Sequence, residues 1–190
     1  MLNVLLVLGT RPEVIKMGPV VRALSRHAER ISFKVCVTSQ HRELAQQALH
    51  VFKITPDFDL DVMTQDQSPT TVAAAVLQRI EPILKAEKPH WMLVQGDTTS
   101  VVAASLAAFY CRIPVGHVEA GLRSHDKAHP FPEEVQRRLV AVSADLHFAP
   151  TVRARSPRTA PIRSLHERSF GSASVPADRA CRTLTSMSRG

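Results

Sequence analysis

Short, almost wholly apolar runs alternate along this chain with longer segments whose apolar residues recur at helical spacing. Residues 4–8 form the first run, and Val14, Met17 and Val21 then follow one turn apart. A strand that is apolar at every position is buried on both faces, which is typical of a parallel sheet covered by helices. The alternation predicts an α/β fold, namely a doubly wound parallel sheet with helices on both faces.

The same pattern continues to about residue 148. The predicted strands cover residues 4–8, 33–38, 91–94, 113–118 and 146–148, with a short extended piece within 54–67. The predicted helices cover residues 12–27, 43–52, 68–84, 101–110 and 132–142. Ser68 and Pro69 indicate a helix start, because Ser caps well and Pro suits the first turn.

The chain changes character after Thr151. Residues 1–151 hold 16 basic and 15 acidic side chains, whereas residues 152–190 hold 8 arginines, one Glu and one Asp. The body is therefore nearly neutral, and the net charge of +7 belongs mainly to the tail. The tail has no strand or helix period and few apolar residues, so we expect it to be disordered and without strand pairing to the body. A segment translated after a reading-frame shift would have the same features.

A basic arm for nucleic acid or a membrane surface is the functional alternative for this tail. Base stacking needs aromatic side chains, and Phe170 is the one aromatic residue in the segment. Together with the neutral body, this composition argues against a nucleic-acid or membrane partner.

The three cysteines, Cys36, Cys111 and Cys181, show no CxxC or metal spacing. Two of them lie in apolar surroundings and are typical of small core residues. The apolar run at the N-terminus is too short for a signal peptide or a membrane span. We therefore expect a cytoplasmic protein in a reducing compartment.

Three carboxylates follow predicted strands or loops that end at one edge of the sheet. Asp97 lies in the loop Gly96-Asp97-Thr98-Thr99, Glu119 follows the strand at 113–118, and Glu133 opens a helix. Ligands of open α/β sheets bind at this edge, beyond the carboxyl ends of the strands. The structural alternatives are that Asp97 caps a helix, that Arg123 pairs with Glu119, and that Glu133 and its neighbour Glu134 only complement a helix dipole.

Basic side chains cluster in the first loop and the first helical turn. Arg11 and Lys16 lie where a helix N-terminus itself favours anions, although each is equally typical of an ordinary surface residue. His117 is two residues before Glu119, so both are expected on one side of the strand, unless His117 is simply a hydrogen-bonded core residue. Gln40 and His41 follow the second strand and either bind an anion or cap a helix.

The sequence gives no sign of a cofactor or a metal. It contains no G-x-G-x-x-G and no G-x-x-x-x-G-K-[ST] motif, so neither a dinucleotide nor a P-loop site is predicted. His125 and His129 have no third ligand at metal spacing.

Several motifs in order resemble the non-hydrolysing UDP-N-acetylglucosamine 2-epimerases over residues 1–151. They are Gly9-Thr10-Arg11-Pro12-Glu13, residues 35–43, Gly96-Asp97-Thr98-Thr99, residues 113–123 and Pro132-Glu133-Glu134. The resemblance implies the N-terminal Rossmann-like half of a two-domain, glycosyltransferase-B-type protein that holds a UDP-sugar between its domains. It implies conversion of UDP-GlcNAc to UDP-N-acetylmannosamine, in a nucleotide-sugar route to surface polysaccharide, by a homodimer without cofactor or metal.

The resemblance also implies roles for individual residues. Asp97, Glu119 and Glu133 match the catalytic carboxylates of the family. The matches to substrate-binding positions are Arg11, Lys16, His117 and Arg123. Gln40 and His41 match a motif that contacts a second, activating UDP-GlcNAc in bacterial members.

This sequence departs from the family pattern in two places. Gln95 stands where many members have His, and residues 152–190 contain nothing recognisable as the second domain. We therefore expect a shortened and inactive form of the epimerase. The alternatives are a non-enzymatic remnant, at most a weak binder or half of a dimer, and the donor domain of a glycosyltransferase. The run Glu119-Ala120-Gly121-Leu122-Arg123 favours the epimerase over the transferase.

Overall fold

The computed structural model describes residues 1–39, 42–64, 67–155 and 181–183. Seven strands are assigned within these ranges: β1 (Leu2–Leu8), β2 (Ile31–Val37), β3 (Phe58–Asp59), β4 (Trp91–Gln95), β5 (Val115–Val118), β6 (Leu146–Ala149) and β7 (Cys181–Thr183). The helices are α1 (Arg11–Ser25), α2 (Arg42–Phe52), α3 (Pro69–Glu87), α4 (Thr99–Tyr110) and α5 (Glu133–Ser143). None of the helices in these ranges has the length and apolar character needed to cross a bilayer.

The strands form one parallel sheet in the order β3-β2-β1-β4-β5-β6-β7. This order confirms the predicted doubly wound α/β fold. The chain moves outward from β1 through β2 to β3, and then crosses back to place β4 on the other side of β1. The direction of winding therefore reverses between β1 and β4, and a crevice for a ligand opens at such a switch point.

Two apolar cores cover the two faces of the sheet. Residues of β1 alternate between them: Leu5 and Val7 belong to one core, and Val4, Leu6 and Leu8 to the other. The first core is completed by α3, α4 and α5, and the second by α1 and α2. Because successive side chains of a strand point to opposite faces, burial on both sides requires the continuous apolar run seen in the sequence.

Helix starts follow their capping residues. The hydroxyl of Ser68 accepts from the N–H of Thr71 at 3.2 Å, as the sequence predicts for the start of α3. The hydroxyl of Thr98 accepts from the N–H of Val101 at 3.3 Å, so α4 begins at Thr99, two residues before the predicted position. Capping by Thr98 excludes the alternative in which Asp97 caps this helix.

The prediction that residues 152–190 make no strand pairing with the body is wrong at Cys181–Thr183. These residues form β7, whose backbone pairs in parallel with β6. The edge of β6 otherwise presents unpaired N–H and C=O groups, which favour an added strand. The packed part of the domain also extends beyond its predicted end at Thr151, because Ala154 is buried beside Gly121. The prediction of disorder covers residues 152–190, of which residues 156–180 and 184–190 lie outside the described residues.

Candidate active site

The loops after β1, β4 and β5 meet at the carboxyl edge of the sheet, because these three strands are neighbours and run parallel. Helix α5 contributes Arg137, which donates hydrogen bonds to the loops after β4 and β5. The site can therefore be followed from one strand end to the next.

Asp97 lies in the loop that leaves β4. Gly96, the residue before it, has φ +84°, a conformation that favours glycine, and this turn carries the chain from β4 towards α4. The side chain of Asp97 remains 26% exposed and accepts a hydrogen bond from the guanidinium of Arg137. Asp97 is thus an oriented, charge-paired carboxylate at the mouth of the crevice.

Arg137 is the central cation of the site and was missed by the sequence analysis. It projects from α5, and only 7% of the residue is exposed. One of its terminal nitrogens donates to Asp97, and the other donates to the backbone carbonyl of Glu119. A single guanidinium therefore fixes the ends of two neighbouring strands relative to each other. The one available signal was its position a helical turn after Glu133, on the same side of α5.

Glu119 follows β5 with φ +66°, in the left-handed region. Both oxygens of its carboxylate accept from Lys16 Nζ at 2.7 Å, and Oε2 also accepts from the amide of Gln95. Its side chain is 19% exposed, so the carboxylate lies at the edge of solvent. Lys16 provides the pairing that the sequence analysis considered for Arg123, whose guanidinium instead donates to the carbonyl of Leu122 at 2.7 Å.

Glu133 and Glu134 open α5 and have different surroundings. Glu134 is buried, and its carboxylate accepts from the N–H of Ser124 at 2.8 Å and from Arg138, which identifies it as a structural group. Glu133 is half-buried, and among the described residues its Oε2 atom is buried without a hydrogen-bond partner. An unpaired buried acceptor is costly, so this oxygen is suited to receive a proton or a donor from a ligand.

His117 lies in β5 beneath the site and is fully buried. Its Nε2 donates to the carbonyl of Gly96 at 2.7 Å, which requires the proton on that nitrogen because a carbonyl only accepts. Burial lowers the pKa of His117 to about 3, so the ring is neutral. The ring of His147 meets it edge-on, with 6.4 Å between the centroids. The contact to Gly96 matches the hydrogen-bonded core histidine that the sequence left open as an alternative.

The remaining predicted residues lie around this group. Arg11 is exposed at the first position of α1, five residues before Lys16. Arg123 is half-buried, and burial lowers the pKa of its guanidinium. Gln40 and His41 lie outside the described residues. No three His, Cys, Asp or Glu side chains of the described ranges come together in a way that would hold a metal ion.

Glu13 is a second buried group that the sequence analysis did not assign. It occupies the first turn of α1 with 2% of the residue exposed, and it accepts hydrogen bonds from Gly9, Thr10 and Thr98. Burial raises the pKa of Glu13 to about 7, against the opposing effect of these hydrogen bonds. Such a shift at a switch point is typical of a functional site.

The fold and these contacts define a class of protein. A doubly wound parallel sheet with paired carboxylates and cations at its switch point belongs to the class of Rossmann-like α/β domains, which bind their ligands at that point. Comparison with known proteins narrows this class. The sequence profile of the UDP-N-acetylglucosamine 2-epimerase family matches residues 22–157. The chain belongs to this family.

Individual relatives agree with this assignment. The chain is 52% identical over 151 residues to a putative UDP-N-acetylglucosamine 2-epimerase of Clostridium acetobutylicum, covering 80% of this chain and 39% of the relative. It is 51% identical over 154 residues to the UDP-N-acetylglucosamine 2-epimerase of Escherichia coli K12, covering 81% and 41%. The chain thus spans about two fifths of the length of these relatives.

Solved structures show the same similarity. The UDP-GlcNAc 2-epimerase of Neisseria meningitidis bound to UDP-GlcNAc superposes with a TM-score of 0.79 at 41% identity, covering 96% of this chain and 46% of that one. The Methanocaldococcus jannaschii enzyme in complex with UDP-GlcNAc and UDP gives a TM-score of 0.75 at 35% identity, covering 81% and 42%. MurG of Acinetobacter baumannii, at 14% identity and a TM-score of 0.57, shares the fold alone. The likeness confirms a Rossmann-like domain of the glycosyltransferase-B type.

Proposed function

We propose that this chain supplies the acid–base half of a UDP-N-acetylglucosamine 2-epimerase site. The observation that carries the proposal is the bridge made by Arg137, which holds Asp97 and the end of β5 at Glu119 on one edge of the sheet. Family membership favours the epimerase over the donor domain of a glycosyltransferase. The structures of relatives bound to UDP-GlcNAc support a UDP-sugar as the ligand.

The chemistry requires more than one acid–base group. The hydrogen at C2 of the sugar has no neighbouring carbonyl, so its direct removal is difficult. Breaking the C1–O bond to UDP builds positive charge at C1 and acidifies this hydrogen. Loss of the C2 proton then gives 2-acetamidoglucal and UDP. Re-addition of the UDP oxygen to C1, with a proton delivered to the opposite face of C2, gives the epimer. Groups that accept and donate protons are therefore needed on both faces of the sugar.

Three carboxylates meet this requirement in our proposal. Glu133 has a buried oxygen without a partner among the described residues, which suits a proton acceptor. Asp97 and Glu119 are each held by a cation, Arg137 and Lys16 respectively, which would orient them near the sugar. Environments that differ in this way are how neighbouring carboxylates acquire different acid–base roles.

Substrate binding is proposed for the cations around the crevice. Arg11 and Lys16 lie at the N-terminus of α1, where helix dipole and side-chain charge together favour a diphosphate. Arg123 lies in the loop that follows β5 and is proposed to contact the substrate. His117 is buried, and we propose that it contributes indirectly by holding the Gly96 carbonyl and so the Asp97 loop. A role for Gln40 and His41 in binding a second UDP-GlcNAc remains a prediction from the family resemblance.

The described residues form only the N-terminal side of the cleft between two domains that the family resemblance implies, and the relatives are more than twice as long as the matched part of this chain. We therefore expect no measurable interconversion of UDP-GlcNAc and UDP-N-acetylmannosamine by the 190-residue chain alone. General acid–base groups contribute about 10²–10⁴-fold, which is far below typical enzymatic accelerations of about 10⁶-fold or more. Detectable exchange of the C2 hydrogen with deuterated water by this chain would contradict the expectation.

A chimera tests the proposed function directly. Residues 1–151 of this chain replace the matching part of the Escherichia coli epimerase, to which the chain is 51% identical. We expect the chimera to interconvert the two UDP-sugars and to exchange the C2 hydrogen with solvent. The matched control is the same chimera with Glu133→Gln, which keeps the size of the side chain and removes its basicity. A folded but inactive parent chimera would refute the proposal that this domain supplies a competent acid–base set.

A further inference from the structure

Glu13 is a buried acid that takes no part in the proposed chemistry. From the first turn of α1 its side chain folds back towards the preceding loop. Oε2 accepts from the backbone N–H groups of Gly9 and Thr10, the latter at 3.4 Å. Oε1 accepts from the hydroxyl of Thr98 at 3.0 Å.

These donors belong to two different loops. Gly9 and Thr10 lie between β1 and α1, whereas Thr98 lies between β4 and α4, 85 residues after Glu13. The two helices pack on opposite faces of the sheet, so the loops diverge from the switch point. The carboxylate of Glu13 therefore spans the base of the crevice and is a direct connection between its two walls.

The surroundings of this connection are tightly packed. A Cβ atom added at Gly9 would lie 2.8 Å from Thr38 Oγ1 and 3.3 Å from Glu13 Oε2. The hydroxyl of Thr38 is itself hydrogen-bonded to that of Ser100 at 3.3 Å. A glycine is thus needed to let the loop approach the carboxylate.

The charged neighbours of Glu13 are directed elsewhere. On α1, Arg11 is exposed and Lys16 pairs with Glu119. Next to Thr98, Asp97 pairs with Arg137. From the sheet side, the side chains that lie with the carboxylate around Gly9 are those of Thr38 and Ser100, which are uncharged. Burial is therefore the largest influence on the pKa of Glu13, which it raises to about 7.

We propose that Glu13 is a positioning residue that fixes the β1–α1 loop to the β4–α4 loop, and thereby sets the distance between Lys16 on one wall and Asp97 on the other. The importance of that distance rests on the proposed epimerase function, whereas the connection itself does not. Protonation reverses one hydrogen bond without breaking the connection, because a protonated Oε1 can donate to the hydroxyl of Thr98. A glutamine can do the same with its amide nitrogen, and an alanine cannot.

The test is amide hydrogen exchange, followed residue by residue by NMR, in the full 190-residue chain. Glu13→Ala should speed exchange about tenfold or more in both loops, at Gly9–Thr10 and at Thr98–Val101. Glu13→Gln should restore the rates to within about threefold of wild type. A matched control is Asp57→Ala, which removes a carboxylate that accepts from the N–H of Val35 at 2.7 Å. The control should leave both crevice loops unchanged, and faster exchange in one loop only, or in neither, after Glu13→Ala would overturn the proposal.

Thr98 provides a second variant in case Glu13→Ala does not fold. Thr98→Val removes the hydroxyl and should speed exchange at Gly9 and Thr10, on the opposite wall, whereas Thr98→Ser should not. Unchanged rates at Gly9 and Thr10 in Thr98→Val would overturn the connection, even if the end of α4 loosens through loss of its cap.

A pH titration separates positioning by a titrating acid from ordinary packing. The amide resonance of Gly9 should shift with a midpoint near pH 7 in the wild-type chain, and the shift should be absent in Glu13→Gln. A shift that persists in Glu13→Gln would refute the assignment. An inactive chimera together with these exchange and titration results would refute the proposed function and leave the connection intact.

Discussion

His117 allows a quantitative prediction about stability at low pH. In the unfolded chain its ring takes up a proton near the ordinary pKa of 6.5, whereas burial lowers the pKa of the folded ring to about 3. Because the folded state favours the neutral ring, this contribution to stability is complete above pH 6.5 and is lost as the pH falls towards 3. At pH 5, about 1.5 units below the ordinary pKa, the ring is protonated in the unfolded chain and neutral in the folded one. At 1.36 kcal/mol per unit, the free energy of unfolding is then lower by about 2 kcal/mol than at neutral pH.

The substitution His117→Gln isolates this effect. The amide nitrogen of glutamine can donate to the carbonyl of Gly96, as Nε2 of His117 does, and it does not titrate. The variant loses ring packing and is expected to be less stable than wild type at pH 7.5. Its free energy of unfolding should nevertheless fall by about 2 kcal/mol less than that of wild type between pH 7.5 and pH 5.

Urea unfolding of the 190-residue chain at several pH values provides the measurement. Comparing each variant with wild type cancels the contribution of Glu13, whose raised pKa acts in the opposite direction and weakens folding as the pH rises from 4.5 to about 7. The matched control is His27→Gln, which removes an exposed imidazole instead of a buried one, and an equal change in the pH dependence of both variants would contradict the role of burial. Parallel curves for His117→Gln and wild type would show that His117 is not held neutral by burial.

Two further predictions concern catalysis and packing. In the chimera, Asp97→Asn or Glu119→Gln should lower turnover of UDP-GlcNAc about 100-fold or more, the scale of a lost acid–base group, and wild-type rates in both variants would refute their assignment. Gly121→Ala should lower the free energy of unfolding by about 3 kcal/mol, because the added Cβ would lie 2.0 Å from the carbonyl oxygen of Ala154 and φ is +82°. Gly96→Ala shares a positive φ of +84°, but its nearest neighbour is 3.9 Å away, so a loss of only about 1–2 kcal/mol is expected and an equal loss in both variants would contradict this account.

The sequence predicted the sheet because burial on both faces leaves a local signature. Residues 4–8 are apolar at every position, and alternate members of β1 enter the two cores. Helix starts were equally predictable from local sequence, since the hydroxyl of Ser68 caps α3 by accepting from the N–H of Thr71, three residues later. The pairing of β7 with β6 has no such signature, because a strand of three residues is too short to show the strand period and its sequence does not identify its partner.

Contacts across the site were harder to predict for the same reason. Arg137 is separated in sequence from Asp97 by 40 residues and from Glu119 by 18, and Lys16 is separated from Glu119 by 103 residues. Periodicity reports which face a side chain occupies, whereas these contacts depend on which strand ends become neighbours in the folded sheet. Glu13 was missed because an acid in a first helical turn ordinarily complements the helix dipole at the surface, and its burial arises from the loop after β4 closing over it.

The charges of the site follow a pattern that a list of acidic residues does not reveal. Asp97 and Glu119 follow two neighbouring strands at one edge of the sheet. Each of these carboxylates has its own cation, Arg137 for Asp97 and Lys16 for Glu119. Of the three carboxylates, Glu133 alone has a buried oxygen without a hydrogen-bond partner among the described residues. Two carboxylates of the site are thus paired with cations and the third is not, and this difference in surroundings supports the different acid–base roles that we propose for elimination and re-addition at the sugar.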